Sequence, residues 1–240
     1  MRFVGRDVSE PRRALERAPV IRARHLREPV AVDDEAGACE VRPGTLNDVD
    51  AAAAVLAQAF ADSPWTRWTV DPERHVERIG SLQQLVMERA VLPFGELWVA
   101  CVGTEVVGAA MWMHPDRVPH PAVWSSMSAE TAALEGSRHD VSVMAEEMLA
   151  FLKPAARHYY LGAVGVAPGW QGRGIGAELL TPVLRRADQE SVDVYLETST
   201  ESNVAFYAAL GFVVSGEHQI PDGGPHVWAM SRPPNPAVRS

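Results

Sequence analysis

The chain has 240 residues, of which 47% are hydrophobic and 22% charged, and a net charge of −9 at neutral pH. These values favour the globular class over any other, and one domain, or one domain plus an appendage, over two enzymatic domains. The acidic balance argues against nucleic acid as a partner and suits a cationic, amine-bearing one. No apolar run reaches the ~18 residues of a membrane helix, and the Arg-rich start is not followed by a secretory apolar stretch. Cys39 and Cys101 lack metal-ligand spacing, so the expectation is a cytoplasmic protein with free thiols and no membrane association.

Residues 1–38 carry scattered Arg and Pro and the run Asp33-Asp34-Glu35 without core periodicity, which predicts a flexible extension ahead of a domain spanning 39–234 and a short tail, 235–240. Within the domain, a strand near Glu40–Arg42 leads through Thr45-Leu46-Asn47-Asp48 into an Ala-rich helix ending at Phe60, with a Ser63-Pro64 turn after it. Asp71-Pro72 starts a second predicted helix, amphipathic through Val76, Ile79, Leu82, Leu85 and Val86 and ending near Pro93. Residues 96–101 and 105–113 read as a hairpin around Gly103, followed by a Pro- and His-containing loop at 114–122. His114 and His120 in that loop have no ligand-type partners at metal spacing, so no metal is expected. Helices are expected over about 123–135 and 140–152. A strong strand over His158–Val166, a glycine-rich turn, a helix from about Gly174 to Gln189 and a strand over Val192–Glu197 follow. A short helix over Asn203–Leu210 and strands at Phe212–Gly216 and His226–Met230 complete the chain.

The run Val164-Gly165-Val166-Ala-Pro-Gly-Trp-Gln171-Gly172-Arg173-Gly174-Ile175-Gly176-Ala177 passes from strand through turn into helix. Unpaired amides at a helix N-terminus, its dipole and bare glycines suit a phosphate, and Arg173 adds a cation. The run lacks the Gly-Lys-Ser/Thr ending of a Walker loop and the Gly-x-Gly-x-x-Gly of a dinucleotide fingerprint. Its order, Val-x-Pro-x-x-Gln-x-x-Gly-x-Gly, resembles the acetyl-CoA motif of the GNAT superfamily. Downstream, Asn203-x-x-Phe206-Tyr207-x-x-x-Gly211-Phe212 is similar to that family's second signature.

The resemblance implies a mixed α/β fold with a mostly antiparallel central sheet flanked by helices, splayed where the strand ending at Val166 parts from the one ending at Glu197. It implies acetyl-CoA as acetyl donor in that cleft. Val164 and Val166 would pair with the pantetheine arm through their main chain, residues 171–177 would hold the pyrophosphate, and Asn203 and Phe206 would line the other side. Transfer to an amine needs a base, a polarising donor and an acid for the leaving thiolate. The Val166 amide is the candidate donor, and Tyr207 resembles the family's tyrosine acid. Glu197 is the first candidate base, ahead of His158.

Over about 41–232 the chain is more similar to the puromycin N-acetyltransferase family within that superfamily. The match runs through Ala59–Asp62, Thr69–Arg78, Leu97–Ala100, Gly136–Arg138, Tyr195–Ser199 and Asn203–Phe212. This implies a small-molecule amine acceptor, an aminoacyl nucleoside antibiotic inactivated by acetylation, with Trp65, Trp68, Trp112 and Trp228 suited to it. Ser63, followed by Trp65, departs from the tyrosine expected there. The rival readings are a protein or peptide amine acetyltransferase and a non-catalytic acyl-CoA or antibiotic-binding module. Monomer and homodimer are both open.

Overall fold

The computed structural model describes residues 38–235, so the expected extension, apart from residue 38, and the tail after Asn235 lie outside the described residues. The described chain runs β1 (Cys39–Pro43), a 3-10 turn at Leu46–Asp48, α1 (Val49–Phe60), α2 (Pro64–Thr69) and α3 (His75–Val86). A π-helical stretch, Met87–Val91, leads to α4 (Leu92–Phe94), β2 (Gly95–Val102) and β3 (Glu105–Met113). Then come α5 (Pro121–Glu135), α6 (His139–Leu149), β4 (His158–Val166), α7 (Ile175–Glu190), β5 (Asp193–Thr198), α8 (Glu201–Ala209), β6 (Val213–Gln219) and β7 (His226–Arg232).

Two helix starts differ from expectation for local reasons. Pro64 does follow the end of α1, but it also opens α2 from its first turn, where the missing amide costs nothing. The second predicted helix begins at His75 rather than Asp71. Asp71 spends its carboxylate on the Glu73 amide at 2.8 Å and on Ser137, and Arg74 sits at φ 55°, which breaks the helical run. Of the amphipathic positions, Ile79 and Leu85 are buried while Val76 faces water. No helix among the described residues is long and apolar enough to cross a membrane.

The seven strands form one sheet in the order β1-β2-β3-β4-β5-β7-β6, antiparallel at every neighbour except β4 and β5. That parallel pair is hydrogen-bonded only over His158–Leu161 against Asp193–Leu196. Beyond Leu161 the strands part, and the rest of β4 keeps only its β3 partner.

Helix α7 covers one face of the sheet, burying Leu179, Leu180 and Val183 against Trp112, Tyr159, Leu161 and Leu196. On the other face α1 and the π-helical stretch pack Leu56 and Met87 against Val99, Ala109 and Ala163. Helix α6 extends this second layer over Val227 of β7. At the far end of α7, Asp188 receives Arg232 of β7 through two hydrogen bonds of 2.7 and 2.9 Å, and the Asn235 amide at 2.7 Å. Burial alone pushes the Asp188 carboxyl up, but these donors outweigh it and leave the group below its usual range.

Candidate functional site

The parting of β4 from β5 opens a cleft of about 1900 Å³ that continues between α1–α2 and α5–α6. Its shape begins with one residue. The β3 register pairs Met111 with Ala163 and Trp112 with Leu161, leaving Gly162 as an unpaired bulge. The extra residue reverses the alternation of β4. Tyr159 and Leu161 face α7; after the bulge Ala163 faces α1, and Val164 and Val166 face α7.

The main chain beyond the bulge pairs with β3 and no longer with β5. The Ala167 amide donates to the Val107 carbonyl of β3 at 2.9 Å. Successive strand amides point to opposite sides, so the Val166 amide points away from β3, into the gap that β5 has left. Gly165 is required by packing: a Cβ there would lie 2.8 Å from Ala59 Cβ and 2.9 Å from Leu56 Cδ2, so only glycine lets α1 press against β4.

The turn after β4 closes on itself. Gln171 Nε2 donates to the Val166 carbonyl at 3.0 Å, bracing the loop across its mouth. Gly172 and Gly174 sit at φ 75° and 86°, left-handed conformations that a side chain disfavours, and Gly174 caps α7. The first bonds of α7 run from the Ala177 and Glu178 amides to the Gly174 carbonyl, so the preceding Ile175 and Gly176 amides emerge at the helix end facing the cleft. Arg173 is placed differently from expectation. Its guanidinium lies over the Trp170 ring, 4.7 Å from the centroid, and donates to the Gly169 carbonyl at 3.4 Å; it is outside the cleft lining.

Helix α8 forms the opposite wall. Asn203 Nδ2 donates to Thr198 Oγ1 at 3.1 Å, fixing the first turn of α8 to the end of β5. Phe206 lines the cleft beside Gly176 and meets the Tyr207 ring edge-on, with centroids 5.0 Å apart. Tyr207 is 6% exposed, also touches Phe212, and reaches the cleft lining. Its hydroxyl has no hydrogen-bond partner among the described residues, and burial pushes its pKa well above the usual phenol range. Tyr207 therefore carries its proton at neutral pH.

The other half of the cleft is built from side chains. Glu197, at the end of β5, accepts from Tyr195 at 2.9 Å and from Tyr160 at 3.4 Å. Its neighbour Glu146 on α6 is open to the water of the cleft but walled by protein. Burial, followed by the charge of Glu135, raises its pKa; Lys153 opposes the shift and Glu197 adds to it. Lys153, the sole lysine of the chain, holds its ammonium 5.6 Å from the Tyr160 ring centroid. His158 lines the cleft, but its Nδ1 is bonded to the Ala156 carbonyl at 2.7 Å and its ring rests edge-on against Tyr195.

Of the four tryptophans expected to meet an acceptor, Trp65 lines the cleft. Trp112 is in the core under α7, Trp68 packs under α6, and Trp228 lies against His226. Trp124 of α5 lines the cleft instead and has no periodic signal to mark it. Sequence reasoning also passed over Gly162, Tyr160 and Glu146. His114 lines the cleft with Nδ1 accepting from the Asp116 amide, while His120 caps α5 by accepting from Ala122. Among the described residues no group of three or more His, Cys, Asp or Glu is placed to hold a metal ion.

Residues 57–212 match the sequence model of the acetyltransferase (GNAT) family. A mycothiol acetyltransferase of Corynebacterium aurimucosum is 36% identical over 81 residues, covering 32% of this chain. That alignment spans about a quarter of the relative, 24% of its length. Among solved structures, one described as histone acetyltransferase HPA2 and related acetyltransferase, from Corynebacterium glutamicum, superposes with a TM-score of 0.61 at 27% identity, covering 82% of this chain and 97% of that one. An apo form of agmatine N-acetyltransferase shares the fold at a TM-score of 0.55 and 18% identity, covering 81% and 99%.

Proposed function

The chain belongs to the acetyltransferase (GNAT) family, and from that premise we propose that it transfers the acetyl group of acetyl-CoA to the primary amine of a small molecule. The observation that carries this reading is the juxtaposition, along one cleft, of cleft-facing β4 main chain, bare α7 amides and the unpartnered Tyr207 hydroxyl on one side and the tyrosine-bound Glu197 carboxylate on the other.

These residues fit acetyl-CoA. Val164 and Val166 offer strand-edge donors and acceptors to an extended amide arm, as an unpaired strand does to any peptide-like partner. The Ile175 and Gly176 amides, with Gly172 and Gly174 beside them, offer an anion site for the pyrophosphate. Gln171 keeps that turn closed, and Asn203 and Phe206 close the cleft from α8. Bound acetyl-CoA supplies an activated acyl carbon and a good leaving group.

The chain's own residues divide the proton work. Glu197 takes a proton from the acceptor's ammonium, freeing the lone pair that forms the new N–C bond as the C–S bond breaks. The Val166 amide donates to the acyl oxygen as negative charge grows on it, where a fixed donor is worth most. Tyr207 gives its proton to the departing thiolate and is restored by the second proton that the acylated nitrogen sheds.

For the acceptor, a puromycin-like aminonucleoside is the favoured class, which would make the activity one of antibiotic inactivation. It is supported by the resemblance of Ala59–Asp62 and by the course of that segment along the cleft, with Ala59, Phe60 and Asp62 beside Trp65. The resembling segments Thr69–Arg78 and Gly136–Arg138 support it indirectly. Asp71 accepts from Ser137, and Arg78 Nη1 donates to the Ala133 and Leu134 carbonyls at 2.9 Å, tying α3 to the turn between the two helices that roof the acceptor side.

The test is thiol release from acetyl-CoA with puromycin, other aminonucleosides, aminoglycosides, agmatine and a lysine-containing peptide. Turnover of puromycin is expected. Turnover of the peptide alone would make the protein a protein-amine acetyltransferase, and binding of CoA with silence across the panel would favour a non-catalytic module.

A further inference from the structure

We infer that Tyr195 and Tyr160 form a two-hydroxyl clamp that holds the Glu197 carboxylate oriented for proton abstraction, Tyr195 as a positioning residue and Tyr160 as a residue that also touches the acceptor. The inference rests on the reading of Glu197 as the base and adds to it the device that makes a glutamate serviceable at this position.

The geometry is specific. Tyr195 donates to Glu197 Oε1 at 2.9 Å and Tyr160 donates to Oε2 at 3.4 Å, so each carboxylate oxygen receives one hydroxyl and keeps a lone pair for the acceptor's ammonium. The donors come from two strands held in fixed register. Tyr195 lies two residues before Glu197 on β5 and shares its face, and the parallel pairing sets Tyr160 of β4 opposite Tyr195. The two rings stack at 6.0 Å with their planes 29° apart. Tyr195 is fully buried and outside the cleft lining, so its hydroxyl acts through Glu197; Tyr160 lines the cleft.

The surroundings keep both clamp members as donors. The titratable and charged groups around Glu197 and its two tyrosines are His158 from β4, whose ring meets Tyr195, Lys153, whose ammonium lies by the Tyr160 ring, and Glu146 from α6. Glu146 and Glu197 repel, and it is the Glu146 carboxyl that is raised, by burial first and then by the charge of Glu135. Burial first, then the charge of Glu197, raises both tyrosines far enough that they stay donors throughout the working range.

The experiment is a carbon NMR titration of the full chain labelled at glutamate side-chain carboxyls, with the Glu197 resonance assigned by its loss in Glu197→Gln. It needs no acceptor. Tyr195→Phe keeps the ring and removes one donor, and the Glu197 midpoint is expected to rise by about half to one pH unit. Tyr160→Phe should raise it less, in line with its longer bond. The acid limb of kcat/KM for puromycin, or for whichever panel amine is turned over, should move upward with it. An unchanged Glu197 midpoint in both variants, each folded by circular dichroism, overturns the clamp. The base reading fails separately, if Glu197→Gln retains full turnover.

Discussion

The two halves of the cleft are built by different means. The half proposed to take the donor is a single run of chain, residues 164–177, joined by one helix that carries Asn203, Phe206 and Tyr207, and it presents mostly backbone. The half proposed to take the acceptor gathers Trp65, Trp124, Glu146, Lys153, Tyr160 and Glu197 from six different places and presents side chains. Backbone donors are set by the turn and need glycine more than any particular side chain, so the donor half is constrained by conformation. The acceptor half is constrained by identity, and it is the part a family can alter without losing the cofactor.

If the difference is real, substitutions should separate by half, and the largest effect is on stability. Asp188 anchors the last turn of helix α7 to Arg232, whose side chain is 11% exposed. Asp188→Ala leaves that guanidinium buried without its partner and should cost about 3–5 kcal/mol in urea unfolding. Asp71→Ala removes a comparable node from the acceptor roof, but that carboxylate is at the surface and the loss should be far smaller. The pH dependence has a definite sign. The Asp188 carboxyl is depressed on folding, so its contribution is present above the unfolded value of about 3.9 and is lost as pH falls through the folded one. Wild type should weaken progressively below about pH 4, and Asp188→Asn should flatten that part of the curve.

The next effect is kinetic. Tyr207→Phe should lower kcat by about 100- to 1000-fold, within the usual range for a positioned acid, while the dissociation constant for CoA stays the same. An unchanged kcat would move the acid elsewhere and leave Tyr207 as the buried aromatic that its contacts with Phe206 and Phe212 already make it.

The contrast also accounts for what could be read in the sequence. The donor turn was legible because its chemistry is contiguous: strand, glycines and helix follow one another, and the position of Gly174 as cap needs no knowledge of distant residues. The β4–β5 splay follows from the fold family, but the Gly162 bulge that aims Val164 and Val166 exists only in the pairing with β3. Glu197 could be singled out as a strand-end carboxylate and Tyr195 sits in phase with it, yet Tyr160 joins them only through parallel register. The tryptophans show the limit most plainly. Trp65 and Trp68 are three residues apart on α2 and both pack against the α6 cluster, yet only Trp65 also lines the cleft, because neighbouring elements and not the helix itself decide which side is covered. For Arg173 the sequence shows a cation that suits a phosphate but not that its guanidinium lies over the adjacent Trp170 ring.

A smaller effect separates binding of the donor from everything else. Gln171→Ala removes the 3.0 Å brace to the Val166 carbonyl without touching the acceptor side. Loss of a hydrogen bond of about 1 kcal/mol should raise the KM for acetyl-CoA about fivefold, with the acceptor KM unchanged. A change confined to the acceptor KM would show that the turn communicates with the other half.

Trp124→Ala gives the smallest effect and the sharpest test of the acceptor half. The side chain is 45% exposed at the cleft, so an acceptor that stacks on it would cover surface now in water. Covering part of one ring contributes about 0.5–1 kcal/mol, which raises the acceptor KM about two- to fivefold when the ring is removed. Trp124 belongs to α5 and not to the 164–177 run or to α8, so the KM for acetyl-CoA should not move. The size of the change reports the acceptor's chemistry: an amine with an aromatic body should lose the full factor, and a purely aliphatic amine such as agmatine should lose little. Equal losses for both would mean that the ring shapes the mouth of the cleft and does not contact the acceptor.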